Sequence, residues 1–305
     1  LASSIIIPIY NEKGIIRQTI TRLLHTMDEA KIPYEVVLVD DGSTDHGLEE
    51  VDDLPVKVVR HQMNYGYGAA LKSGLLHSQY PIVVITDADG TYPIERIPDL
   101  IRQMHHHDMV VGARIGQKVS VPLIRRPAKW IIGSLASYLA GQPIPDLNSG
   151  LRAMRRSVVM RFLSLLPDGF SFTSTITLAM ITNKYRVRYE PIDYHQRHGR
   201  SKIRPIYDTI NFVQLIIRVV AYFHPLKVFV PLSLILLVGC VIAFIYRLIV
   251  GEGMAIVITL LFVSAIQLLG VGLLADLIAR NHISIHRASH TQASIVKESE
   301  EVSDA

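Results

Sequence analysis

Two apolar runs in the last third of this 305-residue chain, at 228–246 and 254–278, constrain its architecture more than any other feature. Each approaches or exceeds the ~20 residues that a helix needs to cross the hydrocarbon core of a bilayer. Only 247–253 separates them, so they read as a transmembrane hairpin rather than as two core helices. Arg218 and Lys227 precede the pair, Arg280 and Arg287 follow it, and the connecting loop holds Arg247 alone. That asymmetry places both outer ends, and everything before them, on the cytoplasmic side. Segment 206–223 is also apolar, but Asp208, Asn211, Gln214 and Arg218 interrupt it, as suits a helix lying in the membrane interface. The expected division is a cytoplasmic globular domain over 1–202, an interfacial amphipathic region over 203–225, the hairpin over 226–280 and a polar, disordered tail over 281–305.

The single cysteine, Cys240, lies inside the first run, which excludes a disulfide framework and a cysteine-based metal site. A net charge of +4 suits anionic lipid or a phosphate-bearing substrate, and no nucleic-acid-binding signature accompanies it. The apolar stretch at 5–9 is too short for a signal peptide and has no basic region before it.

Short buried strands are expected at 4–9, 35–39, 56–59, 82–85 and 109–111. Between or after them, helical spacing runs from Ile15 to Met27 and over 67–77, 94–107, 128–139 and 172–181. Alternation of this kind predicts an α/β fold, a doubly wound and mostly parallel sheet. Such sheets bind ligands at the carboxyl ends of their strands.

Acidic pairs stand at two of those ends. Asp87-Ala88-Asp89 follows the fourth strand, and two carboxylates at this spacing can face a pyrophosphate through a hard divalent ion. Asp40-Asp41-Gly42-Ser43 follows the second, where Asp41 or Asp40 can accept hydrogen bonds from a base or ribose, or simply shape a turn. Around Lys72, Gly66, Gly68 and Gly74 look at first like a phosphate loop. The reading fails, because Leu71 stands where that loop needs glycine and a dinucleotide fingerprint needs a third glycine. A tight turn into a closely packed helix remains. His105, His106 and His107 are consecutive on a helix, so they point apart and read as a solvated end rather than a metal site. Two basic groups suit phosphate better: Arg114 with Arg125, Arg126 and Lys129, and the segment from Arg197 to Lys202.

Six segments in order carry a family resemblance. They are Ile7-Pro8-Ile9-Tyr10-Asn11-Glu12, Val39-Asp40-Asp41-Gly42-Ser43, Asp87-Ala88-Asp89-Gly90-Thr91-Tyr92-Pro93, Gly112-Ala113-Arg114, Asp146-Leu147-Asn148-Ser149-Gly150 and Arg197 to Lys202. The chain resembles the inverting family 2 glycosyltransferases, in the branch of dolichol-phosphate mannose synthases and undecaprenyl-phosphate glycosyltransferases. The resemblance implies a GT-A fold and transfer of a hexose from a UDP- or GDP-sugar to a polyprenyl phosphate, with inversion and with Mg2+ or Mn2+. By matching position, Pro8, Tyr10, Glu12 and Asp41, with Val39, would hold the nucleoside. Asp87 and Asp89, with Ala88 between them, would serve the metal and the diphosphate. Arg114, Arg125, Arg197 and Lys202 would meet phosphates of donor or acceptor, and Ser149 would lie near the acceptor. Asp87, Asp89, Arg114 and Lys202 form the implied catalytic set. The implied partners are the two substrates and the lipid bilayer, with a homo-oligomer left open.

The chain departs from the mannose synthases where Gly90-Thr91-Tyr92 replaces Leu-Gln-His, so Thr91 or water would stand in for a glutamine metal ligand. Arg197 also sits two residues before Gly199, where those enzymes often carry the arginine three before. A processive synthase would need a Gln-x-x-Arg-Trp motif, and Trp130, the only tryptophan, follows Lys129. A non-catalytic scaffold is the other alternative, against which the intact Asp87 and Asp89 argue.

Overall fold

The computed structural model describes residues 1–115, 134, 137–138, 141–169, 171–193, 205–251 and 254–303, with the backbone alone for 205–212 and 280–303. The chain divides into two compact units, Leu1–Ile216 and Ile217–Ala305.

In the first unit seven strands form one sheet. They are β1 (Ser3–Ile9), β2 (Tyr34–Asp40), β3 (Lys57–Arg60), β4 (Ile82–Ile85), β5 (Met109–Ala113), β6 (Arg152–Arg155) and β7 (Val187–Pro191). Their order across the sheet is β3-β2-β1-β4-β6-β5-β7. β1 runs parallel to β2 and β4, β2 to β3, and β5 to β7. β6 is antiparallel to both its neighbours, β4 and β5. Ile5, Ile6 and Ile7 of β1 are wholly buried, as are Val83, Val84 and Ile85 of β4. Burial on both faces is why these strands read as unbroken apolar runs.

Among the described residues the helices of this unit include α1 (Ile16–Ala30), α2 (Tyr67–His77), α3 (Ile97–Gln103), α4 (Arg156–Arg161) and α5 (Phe172–Thr182). α1 buries Ile16, Ile20, Leu23 and Met27 at helical spacing, and each such side chain contributes roughly 1.5–3 kcal/mol. It stops at Lys31, whose left-handed backbone lets its N–H return to the Asp28 carbonyl. The helix expected over 94–107 is shorter. A 3-10 turn, Ile94–Arg96, leads into α3, which ends at Gln103. Most of the helix expected over 128–139 lies outside the described residues.

Two strands were missed by the sequence pattern, β6 and β7. Their sequences, Arg-Ala-Met-Arg and Val-Arg-Tyr-Glu-Pro, carry charges that mask the alternation. The sheet is consequently mixed, with an antiparallel strand inserted between two that run the same way.

α6 (Pro205–Phe223) crosses the boundary between the units. It is followed by α7 (Leu226–Val250) and α8 (Ala255–Ser303). The stretches Leu226–Val250 and Ala255–Ala279 have mean hydropathies of 2.9 and 2.4 and are long and apolar enough to cross a membrane. Their outward faces carry bare apolar side chains, Ile249 at 79% exposure among them. Apolar surface of that extent is stable against lipid rather than water. The two helices touch through the Ser233 hydroxyl, which donates to the Ala265 carbonyl at 2.9 Å. A side chain added at Gly272 would collide with Phe229, so the glycine lets the backbones approach. Past the apolar stretch the tail is helical to Ser303, where its polar composition predicts disorder. From 281 to 303 it contains neither proline nor glycine to break the helix.

Candidate functional site

Because β6 opposes both β4 and β5, those two strands point the same way, and β1 and β2 join them. The ends of β1, β2, β4 and β5 therefore share one edge of the sheet. β6 starts at that edge, with Arg152 opposite Ile85.

Pro8, inside β1, is partly buried, and the loop after the strand exposes Tyr10 at 48%. Asn11 takes a left-handed backbone, φ 57°, and accepts the Thr44 N–H on its amide oxygen at 2.8 Å. Its own N–H donates to Ser43 Oγ, and the Lys13 N–H donates to Asp45. The loops after β1 and β2 are thus tied together, with Tyr10 on the outside and Glu12 half-buried.

After β2, Val39 is buried in the sheet and Asp40 accepts the Ser43 N–H, which makes the turn. Asp41 is 3% exposed and its carboxylate is engaged on both oxygens. Oδ1 accepts the Tyr65 N–H at 2.9 Å and lies 2.8 Å from His61 Nδ1, and Oδ2 accepts the Gly66 N–H at 2.8 Å. His61 Nε2 reaches Ser73 Oγ at 2.8 Å, completing a chain from Asp41 into α2. Asp41 thus builds the loop at 61–66 from within.

After β4, Ala88 turns inward, 2% exposed, and its carbonyl accepts the Thr19 hydroxyl. Asp87 and Asp89 on either side are only partly buried. Asp87 Oδ1 accepts the Tyr67 hydroxyl at 3.0 Å. Asp89 Oδ1 accepts both the N–H and the hydroxyl of Thr91, at 3.1 and 2.7 Å. Thr91 is buried, and its two hydrogen bonds orient the Asp89 carboxylate. The protein packed around Tyr67, and then the charge of Asp87, raise its phenol well above its usual value, which keeps it a donor.

After β5, Arg114 is held in a fork by Asp146, Nε to Oδ2 at 2.8 Å and Nη2 to Oδ1 at 2.9 Å. Burial raises the Asp146 carboxyl, but Arg114 and backbone N–H groups more than offset this and hold it below the usual range. Ser149 is wholly buried and donates to the Gly112 carbonyl at 2.5 Å, so it braces this loop. Gly150 approaches Asp87 so closely that an added Cβ would lie 2.9 Å from Oδ2, and its N–H donates to the Tyr92 hydroxyl at 2.7 Å. Arg152, 0% exposed, donates to the carbonyls of Ser149 and Thr173 and to the Thr177 hydroxyl. Burial pushes its pKa down.

The sheet edge therefore brings together Tyr10, Glu12, Asp41, Asp87, Asp89 and Arg114. Arg125, Arg197 and Lys202 lie outside the described residues. Sequence reasoning assigned nothing to Tyr67, Asp146 or Arg152. Tyr67 stood in a glycine-rich segment set aside as a turn, and Asp146 in a motif where only Ser149 was singled out. No sequence signal marks a buried arginine.

Glycosyl transferase family 2 matches residues 4–163, which covers the sheet through β6 and all the loops just described. The chain belongs to this family. A second match, GtrB C-terminal hairpin, covers residues 224–280 and so both apolar helices. The dolichyl-phosphate hexose transferase of Haloferax volcanii is 30% identical, over 66% of this chain and 86% of its own. An undecaprenyl-phosphate 4-deoxy-4-formamido-L-arabinose transferase of Pseudomonas aeruginosa is 28% identical, over 92% of this chain and 86% of its own. The family and both relatives are glycosyltransferases. Among solved structures, the mannosyl-3-phosphoglycerate synthase of Rubrobacter xylanophilus has a TM-score of 0.57 at 16% identity, covering 72% of this chain and 73% of its own. The Mycobacterium tuberculosis glucosyl-3-phosphoglycerate synthase, solved with Mn2+, UDP and phosphoglyceric acid, has a TM-score of 0.56 at 17% identity, covering 72% and 78%. These structures establish the GT-A-like fold.

Proposed function

We propose that this enzyme transfers a hexose from a UDP- or GDP-sugar to a polyprenyl phosphate at the cytoplasmic face of a membrane, with inversion. The observation that carries the reading is the union, in one chain, of the Asp87 and Asp89 edge with a hairpin matching that of GtrB. The two polyprenyl-phosphate transferases among its relatives support the same acceptor.

The metal reading is tested by the donor set. Among the described residues no group of three His, Cys, Asp or Glu is poised for an ion. A hard cation needs no such group, since it takes one or two carboxylates and fills its shell with phosphate oxygens and water. Asp87 and Asp89, each oriented by a hydroxyl donor, fit Mg2+ or Mn2+ bound together with a diphosphate. The ion, when bound, neutralises charge on the departing nucleoside diphosphate.

The residues do the rest. Tyr10, Pro8 and Glu12 line the place for the nucleoside, and Asp41 fixes the loop beside it. Arg114, locked by Asp146, offers a preset positive charge to the phosphates. Arg125, Arg197 and Lys202 are assigned to the phosphates by their motif positions. The lipid phosphate oxygen bonds to the anomeric carbon as the bond to the diphosphate breaks, and the electron pair leaves with the nucleotide. A phosphate monoester has its second pKa at about 6, so it attacks already ionised and needs no strong base. Position, charge and exclusion of water then supply the rate.

The test is to incubate the purified full chain with a panel of nucleotide sugars and a polyprenyl phosphate, then weigh the lipid. A product heavier by one hexose supports the proposal. Donor consumption without any sugar-bearing lipid would overturn it.

A further inference from the structure

Resting on the reading of Asp87 as a metal ligand, the geometry points to Tyr67 as the positioning residue that sets this carboxylate for the ion. The tyrosine belongs to the glycine-rich segment that fails as a phosphate loop, and the structure shows what the glycines allow instead. Gly66 adopts φ +107°, and a Cβ there would lie 2.6 Å from the Asp168 carbonyl oxygen. A Cβ at Gly68 would lie 2.1 Å from the Pro167 carbonyl oxygen. Without side chains at 66 and 68, the start of α2 slides beneath the strand of chain at 167–169.

That close fit is fastened on both sides of Tyr67. Before it, the N–H groups of Tyr65 and Gly66 are taken by Asp41. After it, the Ala69 N–H donates to the Asp168 carbonyl, and Lys72 pairs with the Asp168 carboxylate at 2.8 Å. The tyrosine is thereby held with its hydroxyl 3.0 Å from Asp87 Oδ1. Gly150 closes the other side of the carboxylate, fixed by its own hydrogen bond to Tyr92. Asp87 sits between a donor and a backbone wall, which restricts its orientation. A ligand carboxylate so constrained gives up less freedom on taking up an ion, which is the usual work of a hydrogen-bonding partner behind a metal ligand.

The substitution Tyr67→Phe removes the donor and keeps the ring. In the full-length protein it should weaken Mn2+ binding in the presence of UDP, read by the loss of free-Mn2+ EPR signal, by about tenfold or more. kcat should fall by a similar factor at moderate Mn2+ and recover in part at high Mn2+, while the sugar-donor KM at saturating metal and the melting temperature hold near wild type. Partial recovery by metal separates a positioning role from a merely structural one. Mn2+ affinity within twofold of wild type in a folded Tyr67→Phe protein would overturn the inference, as would a variant that no longer folds, since the hydroxyl would then be serving the fold. Asp87→Asn run in parallel keeps the two readings distinct. If Asp87→Asn abolishes Mn2+ uptake and Tyr67→Phe does not touch it, Tyr67 alone is misassigned. If neither changes Mn2+ uptake, the metal site itself is misplaced.

Discussion

The two acidic pairs stand at equivalent places, one after β2 and one after β4, yet the protein uses them in opposite ways. Asp41 is almost wholly buried, and both of its oxygens are taken by His61, Tyr65 and Gly66. Asp87 and Asp89 remain partly open, and neighbouring hydroxyls orient them. Equal chemistry at equal topology thus separates into a carboxylate that makes a loop and carboxylates left partly open at the sheet edge. What divides them is which backbone N–H groups the following segment brings within reach.

The largest expected effect follows from the open pair. Asp89→Asn keeps size and shape but removes one charge, so kcat should fall by about a hundredfold or more, as for loss of one key electrostatic stabiliser. Thermal unfolding should barely move. EDTA should silence the wild type and Mg2+ or Mn2+ restore it. Near-normal turnover of Asp89→Asn with the same metal requirement would place the ion elsewhere and erase the distinction.

The buried member should respond in the other currency, stability. Asp41→Asn turns an amide NH2 toward groups that already donate, leaving a buried donor unmet at about 1–3 kcal/mol. Differential scanning calorimetry should show the unit's melting temperature lowered by roughly 2–4 °C per kcal/mol. A folded, equally stable Asp41→Asn protein that loses only nucleotide binding would show that Asp41 is a ligand group after all.

A smaller effect, and one that depends on pH, is expected at Arg114. Arg114→Met strands the Asp146 carboxylate, and because both side chains keep some access to water the loss should be nearer 1 kcal/mol. In the wild type Asp146 is held below the ordinary carboxylate value, so the pair's contribution is full above that value and is lost as pH falls through the lowered one. The stability gap between wild type and variant should be constant at neutral pH and close below about pH 4. A gap that widened in acid would contradict the pairing.

Much of this was legible in the sequence for a physical reason. Strands buried on both faces, such as β1 and β4, must be apolar at every position, and α1 must be apolar at every third or fourth. The carboxylates after β2 and β4 could be placed because strand ends gather at one edge. The hairpin could be read from length alone. β6 escaped because its buried Arg152 meets its partners through carbonyls and hydroxyls from elsewhere in the chain, a long-range arrangement that no local pattern encodes. The burial of Ser149 escaped for the same reason, since its hydroxyl partner lies 37 residues away. The bonds from Thr91 to Asp89 were not legible either, because a side chain two residues past a carboxylate reaches it only when the backbone turns.

Arg152 also bears on how the site comes apart. Its guanidinium fastens the buried carbonyl of Ser149 to Thr173 and Thr177 on α5. To swing the Gly150 segment away from Asp87, the chain must either break these bonds and leave a buried cation unmet or release α5 along with it. Local breathing of this loop is thereby merged with opening of the central sheet. In amide hydrogen exchange the N–H of Gly150 should exchange as slowly as those of β4, although it belongs to a loop and not to a strand.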